Sequence, residues 1–481
     1  MQIDNILASI PNIDALCAAR KAAQAPAWIV GGAVRNLLLG QNPVDVDITT
    51  REPELLARCF AELVSGHVVP LDPVRDIWRV AFRGEYFDFC RLRDSDILGD
   101  LAGRDFTINA IALRLPEVDL SSSMLDPFHG VADLEQRRLR MVTAAVFRDD
   151  PARILRAFRF LAELHVSIEP DTWQALRDNA EYLPRVAVER LLTEWWKLCA
   201  GAHAAEAMHR MDNAGVLGML FPEIEATKAV GQNDYHRYDV WTHSLLTVTC
   251  LAHFLRNPEE IFADLLPVFS PIITDKHRRA RLLFVALLHD IGKPVTRSEE
   301  EGRIHFYRHE EVGAQQAMAI CHRLHASKED VRAVVTIARN HMRPLLLLNN
   351  RHALSRKTML KYFDACGSFA FDVLALAMAD KAAGQGIAAD QEVLKRMRVL
   401  IHTLATFYHD LYLPAYTSPI LTGRDLTQHL HLPPGPEIGD LLYQARRLQI
   451  LGQLHSHEAA MKWVERQQID VTNHRDTEAH S

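Results

Sequence analysis

The stretch Trp28-Ile29-Val30-Gly31-Gly32-Ala33-Val34-Arg35, followed by Asp45-Val46-Asp47, decides how the N-terminal part of this chain folds. An apolar run stopped by two glycines and continued by helix formers predicts a strand over 28–30, a turn, and a helix over 33–39. A second strand is expected over 44–49. Residues two apart on a strand project from one face, so Asp45 and Asp47 set two carboxylates side by side. Further out, Trp78, Val80 and Phe82 alternate with polar residues, Gly84 turns and 86–92 returns, which is a hairpin signature. The return strand carries Asp88 between Phe87 and Phe89 as a candidate third carboxylate. A strand–Gly-Gly–helix unit lets backbone N–H groups approach a phosphate closely. Arg35, one turn into the helix, offers a planar fork to phosphate oxygens. Two acids on one face make a hard-oxygen site suited to Mg²⁺. Taken alone, a Gly-Gly pair is usually a turn and Asp-x-Asp a solvated strand face. Their order and spacing together point to phosphate chemistry.

The rest of the chain sets the frame. Its 481 residues correspond to about three domains at ~150 residues each. A hydrophobic share of 48% and a charged share of 24% are those of a globular protein and exclude whole-chain disorder. Lys+Arg 54 against Asp+Glu 61 gives a net charge of −7, which argues against a generic basic nucleic-acid coat but leaves room for a local basic groove. Apolar runs such as 282–288 are shorter than the ~18 residues of a membrane span. The N-terminus has acids where a secretion signal needs a basic start. Seven scattered cysteines without a Cys-x-x-Cys pair read as reduced thiols. The expectation is a cytoplasmic protein with no membrane partner. Beyond Pro151 the pattern is helical to the end, with a linker over 413–419 and a frayed tail over 472–481.

A second constellation lies in the helical part: His236, His243, His289-Asp290, His309, His341 and Asp380. Imidazoles and carboxylates suit a borderline divalent metal. A single histidine on a helix is more often a packing residue, and 24 histidines align by chance in places. The run Leu287-Leu288-His289-Asp290-Ile291-Gly292-Lys293 differs, because it sets two ligands between a buried helix and a glycine break.

The head motifs resemble the polymerase-β-like nucleotidyltransferase superfamily and, more narrowly, the class II tRNA nucleotidyltransferase/bacterial poly(A) polymerase family. Three further stretches carry the likeness: Arg104-Asp105-Phe106-Thr107-Ile108-Asn109-Ala110, Asp126-Pro127-Phe128-His129-Gly130, and Asp150-Pro151-Ala152-Arg153-Ile154-Leu155-Arg156. The resemblance implies Mg²⁺ on Asp45 and Asp47, with Asp88 beside them. It implies triphosphate contacts from Gly31, Gly32 and Arg35, and support of ribose and phosphate by Arg104 with Asn109. It also implies reading of the base of CTP or ATP by Asp150 and Arg153, helped by Arg156. A carboxylate accepts from the exocyclic amino group that C and A share, and a guanidinium donates to ring acceptors. Asn36, Gly103 and Asp149 depart from the family pattern, and the short segment 94–103 resembles that of the CC-adding subgroup. His243, His289, Asp290 and Asp380 resemble the HD-domain metal-dependent phosphohydrolases, which implies a divalent metal of unspecified identity, with His309 and His341 as additional ligands.

The expected architecture is α+β: a nucleotidyltransferase head over 1–140, a helical base-reading and neck region over 141–225, an HD domain over 226–390, and a helical tRNA-binding tail over 391–481. The expected activity is addition of C and/or A from CTP and ATP to tRNA 3′ ends, with the HD site trimming 3′-phosphates or 2′,3′-cyclic phosphates. The alternatives are a poly(A) polymerase, a phosphohydrolase whose head only binds nucleotide, and a non-catalytic RNA-binding protein. Arg137, Arg138, Arg140, Arg153, Arg156 and Arg159 are candidate phosphate grips.

Overall fold

The computed structural model describes residues 7–43, 45–93, 96–116, 124–228, 230–231, 238–349, 354–384, 391–429 and 435–478. His236, Asp94, Ser95 and the turn residues Pro433 and Pro434 lie outside them. Contacts divide the chain into two compact units, Met1–Pro222 and Glu223–Ser481.

The first unit opens with α1 (Ile13–Ala23), β1 (Ala27–Val30), α2 (Gly32–Leu38), β2 (Asp45–Thr50) and α3 (Pro53–Val64). It continues with β3 (His67–Asp72), β4 (Ile77–Phe82), β5 (Glu85–Arg91), α4 (Ile97–Ala102), β6 (Ala112–Arg114) and β7 (Met124–Leu125). The strands form one sheet in the order β3-β4-β5-β2-β1-β6-β7. All pairings are antiparallel except β2 with β5, where Asp47 faces Asp88 in register. Alternation sorts the two faces. Val46, Ile48, Phe87 and Phe89 are buried in a core with Phe60 of α3 and Leu16 of α1, and Phe60 and Phe87 meet at 4.7 Å. Asp45, Asp47 and Asp88 are therefore left on the opposite face.

Beyond the sheet, α5 (Ala152–Leu164) packs against α6 (Val188–Ala200) and α7 (Ala204–Asn213). Two of the arginines that precede α5 converge on one acid. Asp133, fully buried, accepts from Arg138 Nε at 2.6 Å, Arg140 Nε at 2.9 Å and Thr107 Oγ1 at 2.7 Å. Arg137 donates to Leu164 O at 3.2 Å. Arg138 and Arg140 are thus held on a buried acid, while Arg137 stays exposed.

The second unit contains α8 (Val240–Arg256), α9 (Lys276–Leu288), β8 (Arg297–Glu300), β9 (Arg303–Phe306), α10 (His309–Arg323) and α11 (Lys328–Asn340). It continues with α12 (Arg356–Cys366), α13 (Ala370–Gly384), α14 (Gln391–Phe407), α15 (Pro436–Leu451) and α16 (His457–Glu478). Three sequence expectations are corrected here. The β8–β9 hairpin, turned by Gly302 at φ 75°, interrupts the helical region. The segment 413–417 is helical, because Pro414 falls in the first turn, where its missing N–H costs nothing. The helix α16 runs on to Glu478 where fraying was expected, since 457–478 contains no Gly or Pro. One helical stretch, Arg356–Gly384, is long and apolar enough to cross a membrane by length and composition, and 78% of its apolar window is buried inside the structure.

Gly130 opens a short helix, Gly130–Glu135, where a Cβ would stand 2.1 Å from Thr107 O. We expect Gly130→Ala to destabilise the first unit by about 1–3 kcal/mol. Gly439→Ala, whose Cβ meets nothing within 4 Å, should be neutral by comparison; thermal melting of the two variants checks this.

Two candidate active sites

The first site is a cavity of about 290 Å³ between the acidic face of the sheet and α5. Gly31, at φ 70°, ends β1; a Cβ there would meet Arg104 Nη1 at 3.0 Å and Asp47 Oδ2 at 3.3 Å. Glycine is thus required both by conformation and by the approach of the two charged groups. Asp45 is exposed and Asp47 half-buried on the same face of β2. Burial, with the like charges of Asp88 and Asp45 added, pushes the Asp47 carboxyl up to about 6, against the pull of Arg104. Crowded carboxylates of this kind gain from a hard divalent cation, so the donor set fits one. Asp88 is engaged elsewhere: Arg79 holds both its oxygens, Nε to Oδ1 at 2.7 Å and Nη2 to Oδ2 at 2.8 Å. Sequence reading missed Arg79, although its place opposite Asp88 on the β4–β5 hairpin was the available signal.

The cavity floor is a hydrogen-bonded chain. Arg35 Nη1 donates to Asn109 Oδ1 at 2.8 Å, and Asn109 Nδ2 donates to Asp105 Oδ1 at 2.9 Å. Arg156 Nη1 donates to Asp105 Oδ2 at 2.9 Å. Asn36 accepts from Arg35 Nε and Nη2 at 3.2 and 2.9 Å, so a neutral oxygen orients that guanidinium. Arg104 pairs with Asp100 at 2.9 Å. Asp150 lies just ahead of α5 rather than on it, and its carboxylate is taken by Arg190 of α6 at 2.8 and 3.1 Å. Arg153 stands 3.8 Å from Asp150 and donates to Gly103 O at 3.0 Å. Arg93, Arg159 and Phe160 complete the lining; of these Arg93 and Phe160 were not foreseen.

Burial alone would raise the Asp105 carboxyl, but Arg156, Asn109 and the Phe106 N–H hold it below its ordinary value. A carboxylate lowered in the folded state contributes stability that is present above its unfolded pKa and lost as pH falls through the folded one. We expect the first unit to lose stability below about pH 4, and Asp105→Asn to remove that part of the dependence, as read by urea unfolding between pH 3 and 7.

The second site gathers the expected histidines. His243 lies on α8, His289 and Asp290 follow α9, His309 starts α10, His341 follows α11 and Asp380 lies on α13; all six are buried. Gly292 permits this convergence, since a Cβ there would meet His309 O at 2.3 Å. Three rings face carbonyls through Nδ1: His289 to Ala286 at 2.8 Å, His309 to Phe306 at 2.9 Å and His341 to Ala338 at 2.7 Å. Such bonds fix the N–H on Nδ1 and turn the Nε2 lone pairs inward. His243 Nε2 is 2.8 Å from Asp380 Oδ1, and His309 Nε2 is 3.3 Å from Asp290 Oδ1. The ligand atoms form two groups, His243–His289–Asp380 and Asp290–His309–His341. His289 Nε2 lies 3.3 Å from Asp290 Oδ2 and 3.9 Å from Asp380 Oδ1, so imidazole nitrogens and carboxylate oxygens crowd together in a buried donor set that fits divalent metal. Burial, with His289 and His309 alongside, lowers His341 to about 3 and keeps it neutral. Lys293 Nζ pairs with Asp290 at 2.6 Å, and the adjoining cavity of about 570 Å³ is lined by Lys293, Phe306, Met342, Leu345, Lys381 and Arg396 among others.

Residues 27–140 match the family described as Poly A polymerase head domain, 165–228 that described as "Probable RNA and SrmB- binding site of polymerase A", and 240–367 the HD domain. The A-adding tRNA nucleotidyltransferase of Deinococcus radiodurans is 32% identical over 450 residues, 92% of this chain and 95% of the relative. The CC-adding tRNA nucleotidyltransferase of Thermus thermophilus is 30% identical over 447 residues, 91% and 93% of the two chains. A Thermotoga maritima CCA-adding enzyme complexed with tRNA has the same fold, with a TM-score of 0.61 at 20% identity over 97% of this chain and 98% of that one. The chain belongs to the tRNA nucleotidyltransferase family.

Proposed function

We propose that this nucleotidyltransferase adds C to the 3′ end of tRNA from CTP, with Mg²⁺ at Asp45 and Asp47, and acts in the cytoplasm. The observation that carries the reading is one cavity lined by Gly31, Gly32, Arg35 and Asp47 as well as by Arg153 and Arg156, with Asp150 3.8 Å from Arg153. Gly31, Gly32, Arg35 and Arg104 face the triphosphate, Asn109 holds Arg35, and Asp150 and Arg153 meet the base edge with Arg156 behind them. The tRNA 3′-oxygen attacks the α-phosphorus; the new O–P bond forms as the bond to the bridging oxygen breaks, and pyrophosphate leaves. Bound Mg²⁺ supplies charge neutralisation at the triphosphate and acidifies the attacking hydroxyl. No enzyme nucleophile is required, because positioning and fixed charge carry the reaction.

The preference for C over A rests on the short connection between β5 and Arg104. Its helix α4 is capped by Asp96, which accepts from Gly99 N at 2.9 Å, and its end, Gly103 O, accepts from both Arg93 and Arg153. A base-reading arginine tied to this segment keeps one aim, and switching from C to A would cost that bond. The second unit, with six converging ligands and its own cavity, supports a metal-dependent phosphohydrolase that removes 3′-phosphates or 2′,3′-cyclic phosphates and exposes the hydroxyl used by the first site.

Labelled CTP and ATP, singly and together, are to be supplied to tRNA transcripts lacking CCA or ending in CC. We expect two C residues and then arrest. A on the CC-ended transcript overturns the C preference, repeated A on any RNA points to a poly(A) polymerase, and no incorporation at all overturns the reading. Asp47→Asn should lower incorporation by about 100-fold or more without changing phosphate release. His289→Ala should do the reverse and lower the bound metal measured by elemental analysis.

A further inference from the structure

The nucleotide cavity lies to one side of the paired carboxylates, and the sheet continues on the other. Two rows of in-register residues cross it there, from β2 over β5 to β4. Asp47 is followed by Asp88 and Arg79, and Asp45 by Tyr86 and Ala81. Cross-strand partners share a face, so both rows continue the acidic face. The helix that packs on these strands, α3, covers the opposite face, where Phe60 meets Phe87. The acidic face stays open: Asp45 is exposed, Tyr86 is 39% exposed, and Val69, in register with Arg79 on β3, is 42% exposed.

Arg79 is built for a ligand as well as for Asp88. Its Nε and Nη2 donate to the two Asp88 oxygens at 2.7 and 2.8 Å, which fixes its aim and leaves the rest of the guanidinium fork for another acceptor. The side chain remains one-third exposed, and its Cζ lies 4.9 Å from the centre of the Tyr86 ring. An anchored guanidinium beside an exposed aromatic ring suits single-stranded nucleic acid, with the cation at a phosphate and the ring under a base. Ala81, next to Tyr86 on β4, adds little bulk to the floor.

The direction of the reaction brings the acceptor to this side. Gly31 and Gly32 follow β1, which borders β2 on the side away from β5. The departing pyrophosphate lies toward those glycines, and the attacking and leaving oxygens of such a transfer stand roughly in line. The RNA 3′-oxygen then arrives from the β5 side, over Tyr86 and Arg79.

We propose that Tyr86 and Arg79 seat the last nucleotide of the RNA acceptor: its base stacks on Tyr86, and the phosphate joining it to the preceding nucleotide meets Arg79. The assignment rests on nucleotidyl transfer at the first site and adds the face by which the RNA end enters. Stacking accepts any base, which suits an acceptor whose last base changes with each addition.

The test uses the full chain and a tRNA transcript lacking CCA, made with its natural last phosphodiester or with a neutral methylphosphonate there. With the unmodified protein, the methylphosphonate should raise the KM for the RNA by about tenfold, without raising the KM for CTP. With Arg79→Gln that penalty should vanish, since the group that meets the charge is gone. A 2-aminopurine as the last base reports stacking in the absence of CTP. Its fluorescence should be quenched on binding to the unmodified protein and to Tyr86→Phe, and should stay bright with Tyr86→Leu. An equal methylphosphonate penalty in Arg79→Gln, or equal quenching in Tyr86→Leu, overturns the proposal. Failure of the unmodified protein to extend the natural transcript would instead overturn the reading of the first site. Matching melting curves establish that the variants fold.

Discussion

The first unit is organised around one negative charge that it cannot leave unpaired. Asp105 lies at the seam between the sheet and α5, almost fully buried, where an isolated carboxylate would cost several kcal/mol. Its oxygens are satisfied by the Phe106 N–H at 2.8 Å, Asn109 and Arg156, and Asn109 in turn receives Arg35. Three pieces distant in sequence meet on that charge: α2, the connection before β6, and α5. Phe160 fills the space between two of the arginines, with Arg35 4.9 Å and Arg159 4.6 Å from its ring centre. The cavity is the gap left when these groups are paired, and so the same bonds that hold the fold also set its size.

The two sites solve opposite electrostatic problems. The first is open and dominated by guanidinium groups that face a small carboxylate set, which draws in a polyanion although the chain carries a net charge of −7. The second is enclosed, with four imidazoles, two carboxylates and Lys293 nearby, a donor set that fits a metal beside an adjoining cavity. A net-charge argument sees neither.

Much of this was legible from local pattern. The strand–Gly-Gly–helix unit, the shared face of Asp45 and Asp47 and the β4–β5 hairpin follow from periods of two and from glycine, and the structure has them within a residue or two. The histidine cluster was visible because His289-Asp290 sits between a buried helix and Gly292. What escaped are pairings between distant residues. Arg190 on Asp150 and the two arginines on Asp133 leave no periodic trace, since an arginine on a surface and an arginine on a buried acid look alike in sequence. The β8–β9 hairpin escaped because its first strand, Arg-Ser-Glu-Glu, has no apolar alternation, and the end of α16 because its polar residues read as a frayed tail.

The central claim is that the nucleotide lies across the Asp105 seam, triphosphate toward Asp47 and base toward Asp150 and Arg153. A crystal structure with a non-hydrolysable CTP analogue and Mg²⁺ tests it directly. The account predicts the analogue in the cavity of the first unit, with its 4-amino group replacing Arg190 at Asp150 and its phosphates between Gly32 and Arg35. An analogue seated only in the cavity beside Asp290, or one whose base points away from Arg153, would contradict it.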